Sequence, residues 1–170
     1  MAKRISLREF QESLTQRLSS AQRGEKARAL LGIESGADHW LLELSDSGEV
    51  VPLPPLTTVP LTKPWFAGIA NVRGTLYSVV DFSAFRGGDP TRRNANARLL
   101  LVGARHGSNS ALLVDRTLGL RNLDDLEAAP TAAGGPAWAG ERRTDAQGRN
   151  WTRVEIEALL EDPAFLDIGA

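Results

Sequence analysis

Apolar residues recur along this chain with two different periods. Between Ser6 and about Gln22, Leu7, Phe10, Leu14 and Leu18 are separated by three, four and four positions, a spacing that gathers them on one face of a helix. Ser6 stands where a cap is needed, Glu9 completes a capping box, and Gly24 supplies a stop. The apolar patch from Ala27 to Ile33 either adds a helical turn or leads the chain toward the next unit.

From His39 onward, short apolar runs alternate with Gly, Pro, Asn and Asp, the signature of an all-β domain. Strands are expected near Trp40 to Leu44, Glu49 to Val51, Ala67 to Asn71, Leu76 to Phe82, Leu99 to Val102, Ala111 to Val114 and Thr152 to Ile156. Loops rather than crossover helices join them, so antiparallel hairpins are expected. Turn chemistry marks three, at Asp46-Ser47-Gly48, at Arg73-Gly74 and at Arg105-His106-Gly107-Ser108. The first and third join similar strand pairs, which suits a two-barrel arrangement without amounting to a repeat.

Two stretches interrupt this pattern. Five of the nine prolines fall between Pro52 and Pro64, so that segment is neither helix nor central strand and runs extended over the surface. Ala128 to Asn150, with Ala-Gly-Pro clusters and mixed charge, reads as a mobile loop anchored by Trp138. Past Ile156, Glu157 to Glu161 reads as a short helix halted near Pro163, with Leu159, Leu160, Phe165 and Leu166 available to pack.

Composition then excludes several functions. The 170 residues suffice for one domain or for two small barrels sharing a core. Twenty Lys and Arg balance 21 Asp and Glu, so no global field draws in nucleic acid or an anionic membrane. No apolar run approaches the ~20 residues that span a bilayer, and direct membrane insertion is not expected. The basic start Met1-Ala2-Lys3-Arg4 is not followed by the apolar core of a signal peptide. The absence of cysteine removes disulfides, thiolate ligands and cysteine nucleophiles, and fits a reducing cytoplasm.

The sequence holds no phosphate-cradling glycine loop, no dinucleotide fingerprint and no nucleophile elbow. His39 and His106 lack a second ligand at metal spacing, and ordinary surface or turn roles are expected for both. Asp81 and Asp115 each end an apolar strand. With no base or nucleophile beside them, they are read as acceptors for the following turn rather than as an acid–base pair. Arg92-Arg93 and Arg142-Arg143 are read as solvated doublets in loops. No catalytic residue, cofactor or metal site is expected.

One stretch is distinctive: Pro64-Trp65-Phe66-Ala67-Gly68-Ile69-Ala70-Asn71-Val72-Arg73-Gly74, continuing into Thr75-Leu76-Tyr77-Ser78-Val79-Val80-Asp81-Phe82. It resembles the CheW-like adaptor family, in which a Gly-apolar-x-Asn-apolar-Arg-Gly turn precedes a strand ending in Asp and an apolar residue. Glu49-Val50 with Val59-Pro60, Leu112-Leu113-Val114-Asp115 with Leu118-Gly119, and Thr152 to Leu160 extend the resemblance from about Asp38 to Leu160. The N-terminal helix, Pro64-Trp65-Phe66 and Asp162-Pro163-Ala164-Phe165-Leu166 are most similar to the family's adaptors of type IV pilus and twitching-motility signalling. The helical extension, the proline-dense segment and the insert around Gly134-Gly135 depart from the commoner chemotaxis adaptors.

The resemblance implies a mainly β fold of two small five-stranded barrels about a common apolar core, spanning residues 37–170 after a helical extension over residues 1–36. It also implies a non-catalytic cytoplasmic scaffold without a cofactor, recruited to membrane receptor arrays. Its partners would be the regulatory domain of a CheA-type histidine kinase and the cytoplasmic tip of a methyl-accepting chemoreceptor. Arg73 matches the family's partner-contacting arginine, and Glu49 matches an acidic position on the preceding strand. Asn71 and Gly74 complete the turn, and Val50, Ile69 and Val72 are candidates for an apolar strip that accepts a receptor helix. The ordinary alternatives are an intramolecular ion pair for Arg73 and a core role for the apolar residues. A competing reading, a small barrel that binds single-stranded nucleic acid through aromatics and basic residues, is opposed by the charge balance.

Overall fold

The structure, a computed structural model, describes residues 8, 11–16, 18, 29–43, 46–102 and 106–170. Residues 11–16 are helical, and Leu14 and Leu18 of the expected stripe are exposed. Ser6, Leu7, Glu9, Phe10, Gln22 and Gly24 lie outside the described residues.

The rest is mainly β, in two six-stranded sheets rather than two sets of five. The strands are β1 (Ala29–Ser35), β2 (Asp38–Glu43), β3 (Ser47–Pro52), β4 (Leu56–Thr57), β5 (Phe66–Val72), β6 (Thr75–Asp81), β7 (Arg98–Val102), β8 (Ser110–Val114), β9 (Arg116–Asn122), β10 (Glu127–Ala129), β11 (Ala139–Thr144) and β12 (Asn150–Val154). Three short helices, α1 (Phe82–Phe85), α2 (Ile156–Glu161) and α3 (Pro163–Leu166), accompany them. The first sheet runs β10-β11-β12-β2-β1-β9 and the second β3-β7-β8-β6-β5-β4.

The hairpins around Arg73-Gly74 and between β7 and β8 form as the turn chemistry indicates. The one expected at Asp46-Ser47-Gly48 does not. β2 pairs with β1 and β12, while β3 pairs with β7, so this turn carries the chain from one sheet to the other. Not all pairing is antiparallel, because β12 with β2 and β6 with β8 run parallel.

Ala27 to Ile33 contributes no helical turn where it is described. Its residues from Ala29 form β1, inside the first sheet between β2 and β9, so a division at residues 36/37 would separate β1 from both neighbours. The continuous run Ala29-Leu30-Leu31 has a physical reason. Leu31 and Ile33 join the central core, while Leu30 joins a separate cluster with Leu41, Leu126 and Trp151. Both faces of the strand are buried, and such strands lose their polar alternation.

The second sheet is built in the same way. Leu100, Leu112 and Val80 point into the central core, and Leu99, Leu101, Leu113 and Val79 into an inner cluster of their own. The central core thus draws side chains from both sheets and from α1, α2 and α3, and each sheet keeps a satellite cluster on its far face.

Within Ala128 to Asn150, expected as a mobile loop, Glu127–Ala129 and Ala139–Thr144 are strands β10 and β11. Arg143 donates to the Leu126 carbonyl and pairs with Glu141, so the Arg142-Arg143 doublet is half-buried rather than solvated. Trp138 does anchor the segment, packing on Trp40, Phe82 and Phe85. The proline-dense segment is extended and includes β4, which pairs only with β5 at the sheet edge. Of the closing residues, Leu159 and Phe165 are buried, whereas Leu166 is exposed.

Candidate partner-binding site

Arg73 and Gly74 are the two-residue loop of the β5–β6 hairpin, between the paired residues Val72 and Thr75. Their φ angles are +52° and +86°, the left-handed pair that matches the twist of hairpin strands. Glycine adopts this without strain, whereas for an L-residue it costs roughly 1–2 kcal/mol. The Gly74 amide donates to Asn71 Oδ1 at 2.8 Å, which locks the turn. The chain therefore accepts backbone strain and presents a guanidinium at the tip.

On β3, Glu49 lies opposite Leu101 and Val51 opposite Leu99, so Glu49 shares the sheet face that encloses the inner cluster. Arg73 reaches it there. Nη1 donates to Oε1 at 2.8 Å and Nη2 donates to Oε2. Three strands, β7, β8 and β6, separate β3 from β5 in the ladder. The fork can close only because the sheet curls until its far sides meet.

The bond from Arg73 holds the Glu49 carboxyl below the ordinary glutamate range, and the same bond pushes the guanidinium up. The arginine side chain is 70% exposed and the glutamate 39%, so solvent screens the pair and it contributes little to stability. A shallow depression of about 210 Å³, lined by Gly48, Glu49, Tyr77, Leu101 and Val102, adjoins it.

The apolar candidates do not form one strip. Val72 packs against the inner cluster and Ile69 against the rim of the central core, on the opposite face of β5. Val50 shows 36% of its surface, but β7, β8 and β6 lie between its strand and Ile69. An exposed residue that sequence reasoning missed is Leu76, opposite Asn71 at the hairpin end. Thr75-Leu76-Tyr77-Ser78-Val79 alternates like any half-buried strand, and the pattern does not say which end overruns the core.

The other polar candidates are tied to structure. Asp81 accepts from the Ala84 amide, the Thr91 amide and Thr91 Oγ1 at 3.2, 2.8 and 2.7 Å. Asp115 accepts from the Gly36 amide at 2.6 Å, across to the β1–β2 turn rather than onto the turn that follows it. His39 stacks on Trp151 and His106 lies 3.5 Å from Asp46. Among the described residues no group of three or more His, Cys, Asp or Glu side chains is arranged to hold a metal, and no helix is long and apolar enough to cross a membrane.

Two six-stranded sheets about a shared core, with an arginine hairpin clasped to an edge-strand glutamate, define a mainly β two-sheet module. The CheW-like domain model matches residues 29–164, and the chain belongs to that family. It is 28% identical over 161 residues to Protein PilI of Pseudomonas aeruginosa, across 89% of this chain and 86% of that protein. Its fold is also similar to the crystal structure of the scaffolding protein TtCheW from Thermoanaerobacter tengcongensis. The TM-score is 0.65 at 19% identity, covering 76% of this chain and 84% of the other.

Proposed function

We propose that this protein is a non-catalytic adaptor that couples the cytoplasmic tip of a chemoreceptor to the regulatory domain of a CheA-type histidine kinase. Membership of the CheW-like family across residues 29–164 carries this reading. The likeness to PilI supports a place in the control of type IV pili and twitching motility, with the protein cytoplasmic and recruited to receptor arrays. An adaptor of this kind needs no cofactor, because it acts by fixing the relative position of two partners.

Arg73 is the contact residue in this reading, with Glu49 as its orienting acid and Asn71 and Gly74 as the holders of the turn. The guanidinium has five N–H donors and spends two on Glu49, so it can keep that fork and still meet a carboxylate on a partner. Exposed Leu76 supplies apolar surface at the hairpin end, while Val72 supports the turn from inside; Val50 and Ile69 lie apart from this patch.

The test is Arg73→Asn rather than alanine. Alanine would keep a β-carbon in left-handed backbone, whereas an Asn-Gly loop is the preferred hairpin turn. The fold should hold or gain stability while affinity for one purified partner drops about tenfold or more. Unchanged affinity for both partners would remove the turn from the interface. If wild-type protein bound neither partner at about 100 μM, in the range of weak association, the adaptor reading itself would fail.

A further inference from the structure

A cleft of about 450 Å³ lies in the first sheet, far in sequence from the arginine turn, and its wall is partly made by the insert around Gly134-Gly135. That volume is in the range of small-molecule sites, roughly 300–1,000 Å³. Trp40, Trp138, Pro136 and Ala139 give it apolar walls, and Arg86, Asp38 and Arg142 supply its charges. Arg86 is committed elsewhere. It pairs with Asp38 at 2.7 Å, donates to the Ser35 carbonyl, and stacks over Trp40 and Phe82.

Arg142 is different. It sits on β11 between Ala129 and Thr152, half-buried, and among the described residues its guanidinium has no carboxylate partner. Arg86 is paired with Asp38 and the His39 ring lies beside Glu34, so Arg142 is the lining cation left without a carboxylate among the described residues. Trp40, 7% exposed, also keeps its indole N–H buried without an acceptor from within the chain.

The structure assigns this cleft to a small organic monocarboxylate with an apolar body. The carboxylate takes the fork of Arg142, a geometry in which planar guanidinium and carboxylate match. The body lies against the two indoles. One uncompensated cation fits a monoanion better than a doubly charged phosphate. This assignment does not depend on the adaptor reading, since none of its residues belongs to the arginine turn.

Two of the four tryptophans line the cleft, so intrinsic fluorescence reports occupancy of the full-length protein. The probes are 3-phenylpropionate and 3-phenylpropionamide, which share a shape and differ in charge. The carboxylate should give a saturable change and the amide should bind about tenfold weaker or less. Arg142→Gln should erase that difference without moving the melting temperature, and Arg142→Lys, which keeps the charge but not the fork, should retain part of it. The assignment is overturned by no saturable signal up to about 10 mM carboxylate, a ceiling beyond the weak-binding range. It is overturned equally by amide binding as tight as the acid, or by discrimination that survives in Arg142→Gln.

Discussion

Replacing Gly68 by alanine tests how the proline-dense segment is fastened to the second sheet. Gly68 has φ +126°, and a β-carbon built on it would stand 2.4 Å from the carbonyl oxygen of Thr57 and 3.0 Å from its carbon. Thr57 is on β4 and pairs with Ile69, so the clash is with backbone and no rotamer relieves it. The forbidden φ costs about 1–3 kcal/mol, and displacing a paired edge strand about 1–3 kcal/mol more. At 2–4 °C per kcal/mol for a chain of this size, the summed penalty lowers Tm by roughly 4–24 °C. Gly74→Ala is the control. Its φ is +86° with nothing within 4 Å of the new carbon, so it carries only the left-handed penalty of about 1–2 kcal/mol. Thermal melts followed by circular dichroism should therefore rank wild type above Gly74→Ala above Gly68→Ala. A Gly68 variant no less stable than the Gly74 variant would refute the view that the close approach of β4 dictates glycine here.

Two further predictions concern buried carboxylates. Asp81→Ala removes the cap of α1 and leaves the Thr91 amide and hydroxyl without their acceptor; a loss of about 2–4 kcal/mol is expected, read as a lower urea midpoint, and a cost under about 1 kcal/mol would contradict the role given to Thr91. For Asp145, burial opposes ionisation most strongly, but the Trp151 indole, the Arg149 and Gln147 amides and the Arg149 charge together hold its carboxyl below the ordinary range. Because the folded state is the stronger acid, the stability this gives is present above the unfolded pKa and is lost as pH falls through the folded one. Urea midpoints of wild type should fall on acidification through that window more steeply than those of Asp145→Asn, and parallel curves would refute the assignment.

The parts of the fold legible in the sequence are those where one physical signal acts alone. Arg73-Gly74 between two apolar runs could only be a tight hairpin, and five prolines in one stretch could only be extended edge. β1 is left open between a helical turn and a lead into the next unit because a strand buried on both faces has no alternation, and Leu30-Leu31 reads equally as helix or strand. β11 was missed for the opposite reason. Its residues Glu141, Arg142 and Arg143 are all charged, and charged residues beside Gly-Pro clusters read as loop. The false hairpin at Asp46 shows that turn chemistry fixes where the chain bends, not which strand it bends toward. At the candidate site, Glu49 and Arg73 were found from a motif, but their fork was invisible until the curl of the sheet closed a gap of three strands. Arg142 gave no signal at all, because its interest comes from what fails to neutralise it.

The shared core bears on how such a protein would act. Arg86 spans the two sheets, stacking on Phe82 of α1 while pairing with Asp38 of β2, and Trp138 packs between Trp40 and the α1 phenylalanines. Close-packed interiors shift between discrete arrangements rather than deforming smoothly. On the adaptor reading, these contacts would couple the position of the arginine hairpin to that of the first sheet. Partners bound to the two sheets would then be held at a geometry set by core residues that touch neither of them. Substitutions at Phe82, which is fully buried, would alter signalling through that geometry while leaving each binding surface chemically intact.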